Sequence, residues 1–217
     1  MNVFDVIGPV MVGPSSSHTA GAVRIGLVAR KLLKEEPAEA ELLLHGSFAD
    51  SGRGHGTDRA LIAGLLGLQP DDERVPDSFP LALQRGLRFR FGTVELPDAH
   101  PNSVLLRLRG REGARIEVEA ASIGGGRIEI RRLGGMPLRF SAEQPTLVVR
   151  NEDQPGSVAD VSRVLAEHSI NIGTFQVNRD ARGGSAVMVI ECDAPLSDEL
   201  VTAVQRLPGI LRCVSIN

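Results

Sequence analysis

The sequence predicts an α+β protein of two domains: a mixed α/β front domain over residues 1–141 and a ferredoxin-like βαββαβ domain over residues 145–217. Three observations lead there. The last third alternates helical and strand-like hydrophobic spacing in the order strand, helix, strand, strand, helix, strand. The front part mixes both patterns and joins them through glycine-rich loops. The change from one regime to the other falls at Ser141 to Pro145.

The front domain opens with a strand-like stretch at 3–7 and then Gly13-Pro14-Ser15-Ser16-Ser17-His18-Thr19. A helix follows over 20–36, with Ile25, Val28, Ala29 and Leu32 on one face and Pro37 as its stop. Ser17 or Thr19 is the expected N-cap. The loop thereby sets three hydroxyls, a histidine and free amides at a helix N-terminus, which suits a carboxylate or phosphate. A strand at 41–48 then runs into Ser51-Gly52-Arg53-Gly54-His55-Gly56-Thr57-Asp58 and a helix over 59–66. Glycines at 52, 54 and 56 let the backbone come close to a ligand. This is not a nucleotide P-loop, because the lysine that should follow the last glycine is missing and Thr57 stands alone. A third histidine loop, Pro97-Asp98-Ala99-His100-Pro101-Asn102, joins strands at 87–96 and 103–109. Strands at 116–120 and 127–131 flank Ser122-Ile123-Gly124-Gly125-Gly126.

In the second domain the pattern reads strand 146–150, loop 151–156, helix 157–168, strand 170–178, strand 185–192, helix 197–207 and strand 210–216. Val158, Val161, Val164 and Leu165 recur at helical spacing. Arg182-Gly183-Gly184 makes a turn, Ser197 with Asp198 and Glu199 starts the second helix, and Pro208-Gly209 stops it.

Composition excludes several functions. A net charge of −3, no basic run, 3% aromatics and no Trp or Tyr leave nothing to neutralise phosphates or stack bases, so no nucleic acid is expected. No apolar run approaches the ~20 residues of a membrane span. The amino terminus lacks a basic n-region and carries Asp5 and Pro9, so the chain is read as mature and cytoplasmic. An iron–sulfur cubane takes about four thiolates, or three with one open iron. Cys192 and Cys213 are too few and fall on predicted strands, so they are read as small buried hydrophobes and no metal is assigned to this chain. Only Lys31 and Lys34 occur, beside Arg30, Glu35 and Glu36 at a helix end, which argues against pyridoxal phosphate with its buried Schiff-base lysine.

A loop histidine taken singly is more often a surface or capping residue than a catalytic one. Three of the five, His18, His55 and His100, nonetheless lie in loops with Gly, Ser, Thr or Asn, and together they point to a site. His45 and His168, in a strand and at a helix end, are read as structural. A hydrolase built from Ser15, Ser16 or Ser17 with His18 is disfavoured, since loop neighbours rarely reach nucleophile–base geometry and no G-x-S-x-G elbow is present.

The run Gly13-Pro14-Ser15-Ser16-Ser17-His18-Thr19-Ala20-Gly21 strongly resembles the signature of iron–sulfur L-serine dehydratase beta chains. Gly54-His55-Gly56-Thr57-Asp58-Arg59-Ala60-Leu61, His100-Pro101-Asn102 and Ser122-Ile123-Gly124-Gly125-Gly126 match the same family in the same order. Asp153-Gln154-Pro155-Gly156, the helix after it and Ile170-Asn171-Ile172 resemble the ACT domain, a small-molecule-binding regulatory module. The resemblance implies conversion of L-serine to pyruvate and ammonia at a 4Fe-4S cluster. That cluster would be held by a separate alpha subunit, without which this chain is expected to be inactive. It also implies His55 as base, with His18 and His100 holding or polarising the substrate. His55 is preferred for its glycine neighbours, although the sequence does not rank the three. Ser15, Ser16, Ser17, Thr19, Thr57 and Asn102 would bind substrate. Asp153, Pro155, Gly156, Asn171 and Ile172 would border an effector, and the ACT domain would form a homodimer. The front domain is also similar to an allosteric substrate-binding domain of some phosphoglycerate dehydrogenases, so the competing expectation is a non-catalytic amino-acid sensor.

Overall fold

A computed structural model describes residues 9–52 and 54–217; the strand expected at 3–7 lies outside the described residues. The chain forms two compact units that divide between Gly135 and Met136.

In the first unit a π-helical turn, Ser16–Gly21, leads into α1, Ala22–Leu33. Then follow β1 (Pro37–His45), α2 (Ser47–Ser51), α3 (Thr57–Leu65), α4 (Ser78–Gln84) and β2 (Arg88–Thr93). The hairpin strands β3 (Ser103–Gly110), β4 (Arg115–Gly124) and β5 (Arg127–Leu133) complete it. The strands lie in the order β2-β1-β3-β4-β5. β1 is parallel to β2 and the remaining neighbours are antiparallel. One sheet face carries Leu42, Leu44, Val104, Leu106, Val118 and Ile130, all buried, and α1 packs on its β3–β5 side. The opposite face is a lattice of acidic and basic side chains, with Arg90 paired to Glu41, Arg107 to both Glu41 and Glu117, and Arg88 to Glu39.

α1 and α3 cross where both are bare backbone. A methyl group added at Gly64 would lie 2.8 Å from the Gly26 Cα and closer still to the Val23 carbonyl oxygen. One added at Gly26 would lie 2.9 Å from the Gly64 Cα. Only glycine at both positions allows this approach, and the crossing links the helix after His18 to the helix after His55.

The structure corrects several local expectations. Neither Ser17 nor Thr19 caps the first helix. Ser15 does so, its Oγ accepting the His18 N–H at 3.1 Å, because the chain is already wound from Ser16 as a π turn. That helix ends at Leu33 rather than 36, with Lys34 in the left-handed region (φ 58°). Phe48 belongs to α2 and not to the preceding strand, since Gly46 (φ 53°, ψ −130°) turns the chain out of β1. α4 was not anticipated: its apolar stripe is short, and it is fixed by Phe79, whose ring lies 4.9 Å from Phe89 on β2.

The second unit begins with β6 (Met136–Phe140), also unanticipated because Pro137 breaks an otherwise alternating run. β7 (Thr146–Glu152), α5 (Ser157–Glu167), β8 (Ile172–Arg179), β9 (Ser185–Cys192), α6 (Asp198–Gln205) and β10 (Ile210–Ile216) follow. The sheet order β10-β7-β9-β8, antiparallel throughout, is that of a ferredoxin-like sandwich. Its core joins Leu147 and Val149 to Val161 and Leu165 of α5 and to Leu200 and Val204 of α6. Ser197 caps α6 by accepting the Leu200 N–H at 3.2 Å. Among the described residues no helix is long and apolar enough to cross a membrane.

Candidate active site

The short helix α2 is the piece around which the first two histidine loops meet. Glycines close it at both ends. A side chain at Gly46 would meet the Pro101 carbonyl oxygen at 2.6 Å, and one at Gly52 would meet the Thr57 Cβ at 3.2 Å and the Phe48 carbonyl oxygen closer still. The chain can therefore fold tightly enough to put Phe48 and Ser51 under the π turn. His18 rests its ring edge-on against buried Phe48 at 5.4 Å and lies 5.0 Å from the ring of His55.

The two imidazoles are held differently. The Ser51 hydroxyl donates to the Ser47 carbonyl at 2.9 Å and lies 3.3 Å from His18 Nε2. His55 Nδ1 lies 3.0 Å from the Ser51 carbonyl oxygen, which can only accept, so Nδ1 carries the proton and Nε2 keeps its lone pair. His55 is exposed, whereas His18 is partly buried. Burial, and then the neighbouring His55, hold His18 below its ordinary imidazole value, partly opposed by the Ser47 carbonyl. Thr19 donates from Oγ1 to the His55 carbonyl at 3.2 Å, which ties the two loops together. Thr57, in the first turn of α3, is fully buried, and among the described residues its hydroxyl has no partner.

His100 has a different neighbourhood. Its Nδ1 accepts the Asn102 N–H at 3.1 Å, and its carbonyl accepts from the Ser103 hydroxyl at 2.6 Å. Burial first, then the charge of Arg131, lower its affinity for a proton, against Glu129. The loop reaches the others through its backbone: the Asn102 carbonyl takes the Ser122 N–H at 2.9 Å, and Pro101 abuts Gly46. The Ser122 hydroxyl is buried, has no partner among the described residues, and is pressed against Gly21, where a methyl would meet the Ser122 Cβ at 2.8 Å. His18 and His55 are thus brought together directly, Thr19 ties their loops, Thr57 is closed in the first turn of α3, Ser15 serves as a cap, and His100 and Asn102 join through backbone contacts. Ser51 was missed in the sequence: it opens a motif whose glycines and histidine draw attention, and spacing alone does not mark its hydroxyl as an imidazole partner.

A family model described as serine dehydratase beta chain matches residues 2–85, and one described as ACT domain matches residues 145–209. The "Probable L-serine dehydratase, beta chain" of Bacillus subtilis (strain 168) is 42% identical over 215 residues, covering 99% of this chain and 97% of that protein. The chain belongs to the L-serine dehydratase beta-chain family. A second relative, the "L-serine dehydratase, beta chain" of Peptoniphilus asaccharolyticus, is 40% identical over 204 residues, 94% of this chain and 92% of that one. A "D-3-phosphoglycerate dehydrogenase" of Bacillus subtilis (strain 168) is 25% identical over 191 residues, 88% of this chain but 36% of that protein.

In this beta-family chain the ACT residues divide by what already engages them. Gly156 (φ 96°) stands at the N-cap of α5 with Pro155 exposed before it. Asp153 accepts from the Gly183 N–H at 2.9 Å and from Arg179 at 3.0 Å, so it clamps the β8–β9 hairpin, and those two contacts hold its carboxyl below the usual range. Asn171 donates to Asp193 at 2.5 Å, and Ile172 packs against the core.

The two thiols do not fit an iron–sulfur cluster. Cys192 and Cys213 lie 1% and 0% exposed in the apolar core of the second unit, and burial, then Asp193, push the Cys192 thiol up. A ligating thiol needs the opposite environment, one that stabilises thiolate. Among the described residues no group of three or more His, Cys, Asp or Glu is placed to hold a metal ion.

Proposed function

We propose that this chain is the beta subunit of an L-serine ammonia-lyase, acting in a site shared with a separate alpha subunit that carries a 4Fe-4S cluster. The observation that supports this most directly is the imidazole pair of His18 and His55, whose ring centres lie 5.0 Å apart. Elimination from serine requires removal of a weakly acidic α-proton and departure of the β-hydroxyl. His55 takes the α-proton at Nε2, the nitrogen left unprotonated by the Ser51 carbonyl. The positive charge then developing on His55 keeps its neighbour His18 neutral, so His18 orients substrate rather than competing for the proton. Hydroxyls of Ser16, Ser17 and Thr57 bind the substrate carboxylate, and Asn102 with His100 completes the polar wall. Loss of water leaves an aminoacrylate, which tautomerises to the imine; water then releases pyruvate and ammonia. The cluster would belong to the alpha subunit, where an iron not held by cysteine would polarise the departing β-hydroxyl as a Lewis acid; this chain's residues bind the substrate and remove the α-proton. The reading extends to a cytoplasmic complex, inactive without alpha, with a homodimer of beta chains formed at the ACT sheet edge.

Anaerobic reconstitution with an alpha subunit, iron and sulfide, followed by pyruvate formation from L-serine, tests this. Activity should require both chains, and His55→Ala should lower kcat at least about 100-fold with the fold retained. Pyruvate formed by alpha alone refutes the shared site, and full activity in the variant refutes His55 as base. A second reading, an amino-acid sensor, rests on the similarity of 88% of this chain to part of a D-3-phosphoglycerate dehydrogenase. It expects tight serine binding by this chain alone and no effect of the histidines on turnover.

A further inference from the structure

We propose that Ser51 is the positioning residue that sets which nitrogen of each imidazole carries its proton, and thereby divides the roles of His18 and His55. The inference rests on the dehydratase reading for its catalytic consequence but on the geometry of this chain alone for the proton placement. A single residue addresses both rings with two different groups. Its carbonyl oxygen lies 3.0 Å from His55 Nδ1 and can only accept, which assigns the proton to Nδ1 and turns a bare Nε2 outward. Its hydroxyl has one hydrogen, and that hydrogen goes to the Ser47 carbonyl at 2.9 Å. The oxygen of the same hydroxyl, 3.3 Å from His18 Nε2, is therefore left as an acceptor, and with the Ser47 carbonyl, which also accepts from His18, it assigns the His18 proton to Nε2.

The two rings thus take opposite tautomers. His55 offers the substrate a lone pair at the ring atom farthest from its own backbone. His18 has that same atom occupied and its ring set against Phe48, with only Nδ1 unprotonated, close to the main chain. Two identical side chains 5.0 Å apart become unequal because one neighbour grips them unequally. The device is local in origin: Ser47 and Ser51 stand four residues apart on α2, so the hydroxyl reaches back to a helical carbonyl as serine readily does. Closure of that turn by Gly46 and Gly52 keeps the carbonyl and hydroxyl of Ser51 pointing at different rings.

The test compares Ser51→Ala and Ser51→Thr with wild type in the full chain. Histidine ring nitrogens are read by long-range proton–nitrogen NMR, and turnover is read in the reconstituted complex. Alanine leaves the carbonyl and so leaves His55 δ-protonated, while His18 keeps only the Ser47 carbonyl as acceptor, so its ε-tautomer is held less firmly and its nitrogen shifts move towards a mixture. With His55 intact as base, kcat falls about tenfold, as for loss of one orienting hydrogen bond, and KM stays within about twofold. Threonine restores both readouts, since it keeps the hydroxyl. A merely structural serine predicts reduced stability with unchanged ring tautomers. Unchanged His18 nitrogen shifts in the alanine variant therefore overturn the proposal, as does a threonine variant that fails to recover while remaining folded. If the tautomer change appears but the wild-type complex makes no pyruvate, the dehydratase reading fails and the grip of Ser51 on the two rings stands.

Discussion

Replacing Gly64 with alanine sets two effects of opposite sign against each other. A Gly→Ala change inside a helix ordinarily stabilises by up to about 1 kcal/mol through helix propensity, and by less in the last turn, where Gly64 stands. Here the new methyl would lie 2.8 Å from the Gly26 Cα and against the Val23 carbonyl, both backbone, so no side chain can swing aside. Overpacking of this kind costs about 1–3 kcal/mol, and with rigid backbone on both sides the upper part of that range applies. The net expectation is a first unit destabilised by about 1–2 kcal/mol, a fall of about 0.5–1 M in urea midpoint. Without Trp or Tyr, the transition has to be followed by far-ultraviolet circular dichroism rather than intrinsic fluorescence. The clash is relieved only by separating α1 from α3, which also parts His18 from His55; if these are the catalytic pair proposed above, a misplacement of about 1 Å is enough to cost about 100-fold in kcat. An alanine variant as stable as wild type, or more so, would show that the crossing is not closed by backbone and would refute this reasoning.

Acidification should weaken the first unit. His18 and His100 both hold protons less tightly than the ordinary value of 6.5, so the unfolded chain gains protons first as pH falls. Stability therefore declines from about pH 6.5 downward and levels off only once the folded rings protonate too; urea midpoints across pH should show this slope, reduced in a His18→Gln, His100→Gln double variant. Cys192 and Cys213 should resist a thiol reagent in the native chain and react only on unfolding, since both are closed in the core; a fast native reaction of either would contradict that burial.

Legibility in the sequence followed the range of the interaction. The βαββαβ unit was readable because each element announces itself locally: Ser197 before two acids begins α6, Pro208-Gly209 ends it, and β9 is a run of apolar residues. The candidate site was readable only as types, since histidines in glycine loops signal chemistry without telling which of them meet. That His18 faces His55 while His100 answers to Asn102 and Arg131 depends on the fold of α2, which lies in a stretch read as the end of a strand. The misreading has a definite cause. Gly46 looks like any glycine in a strand, and its turning role comes from the approach of Pro101, more than fifty residues downstream. Asp153 shows the same limit: the motif marks it for a ligand, but Arg179 and Gly183 reach it from a hairpin that spacing cannot place.

The charged lattice on the outer face of the front sheet bears on how a free beta chain survives before assembly. β2 ends that sheet, and the Arg88 and Arg90 side chains on it are 80% and 76% exposed. Exposed pairs of this sort add little to stability. Their value lies in repulsion: another copy of β2 approaching the open strand would bring arginine against arginine, and the rows of acid and base behind it leave little apolar surface beyond half-buried Leu43 and Leu105 to compensate. Such a chain can remain in solution at an unpaired edge without growing into a stack. High salt, by screening those charges, should therefore threaten its solubility well before it threatens its fold.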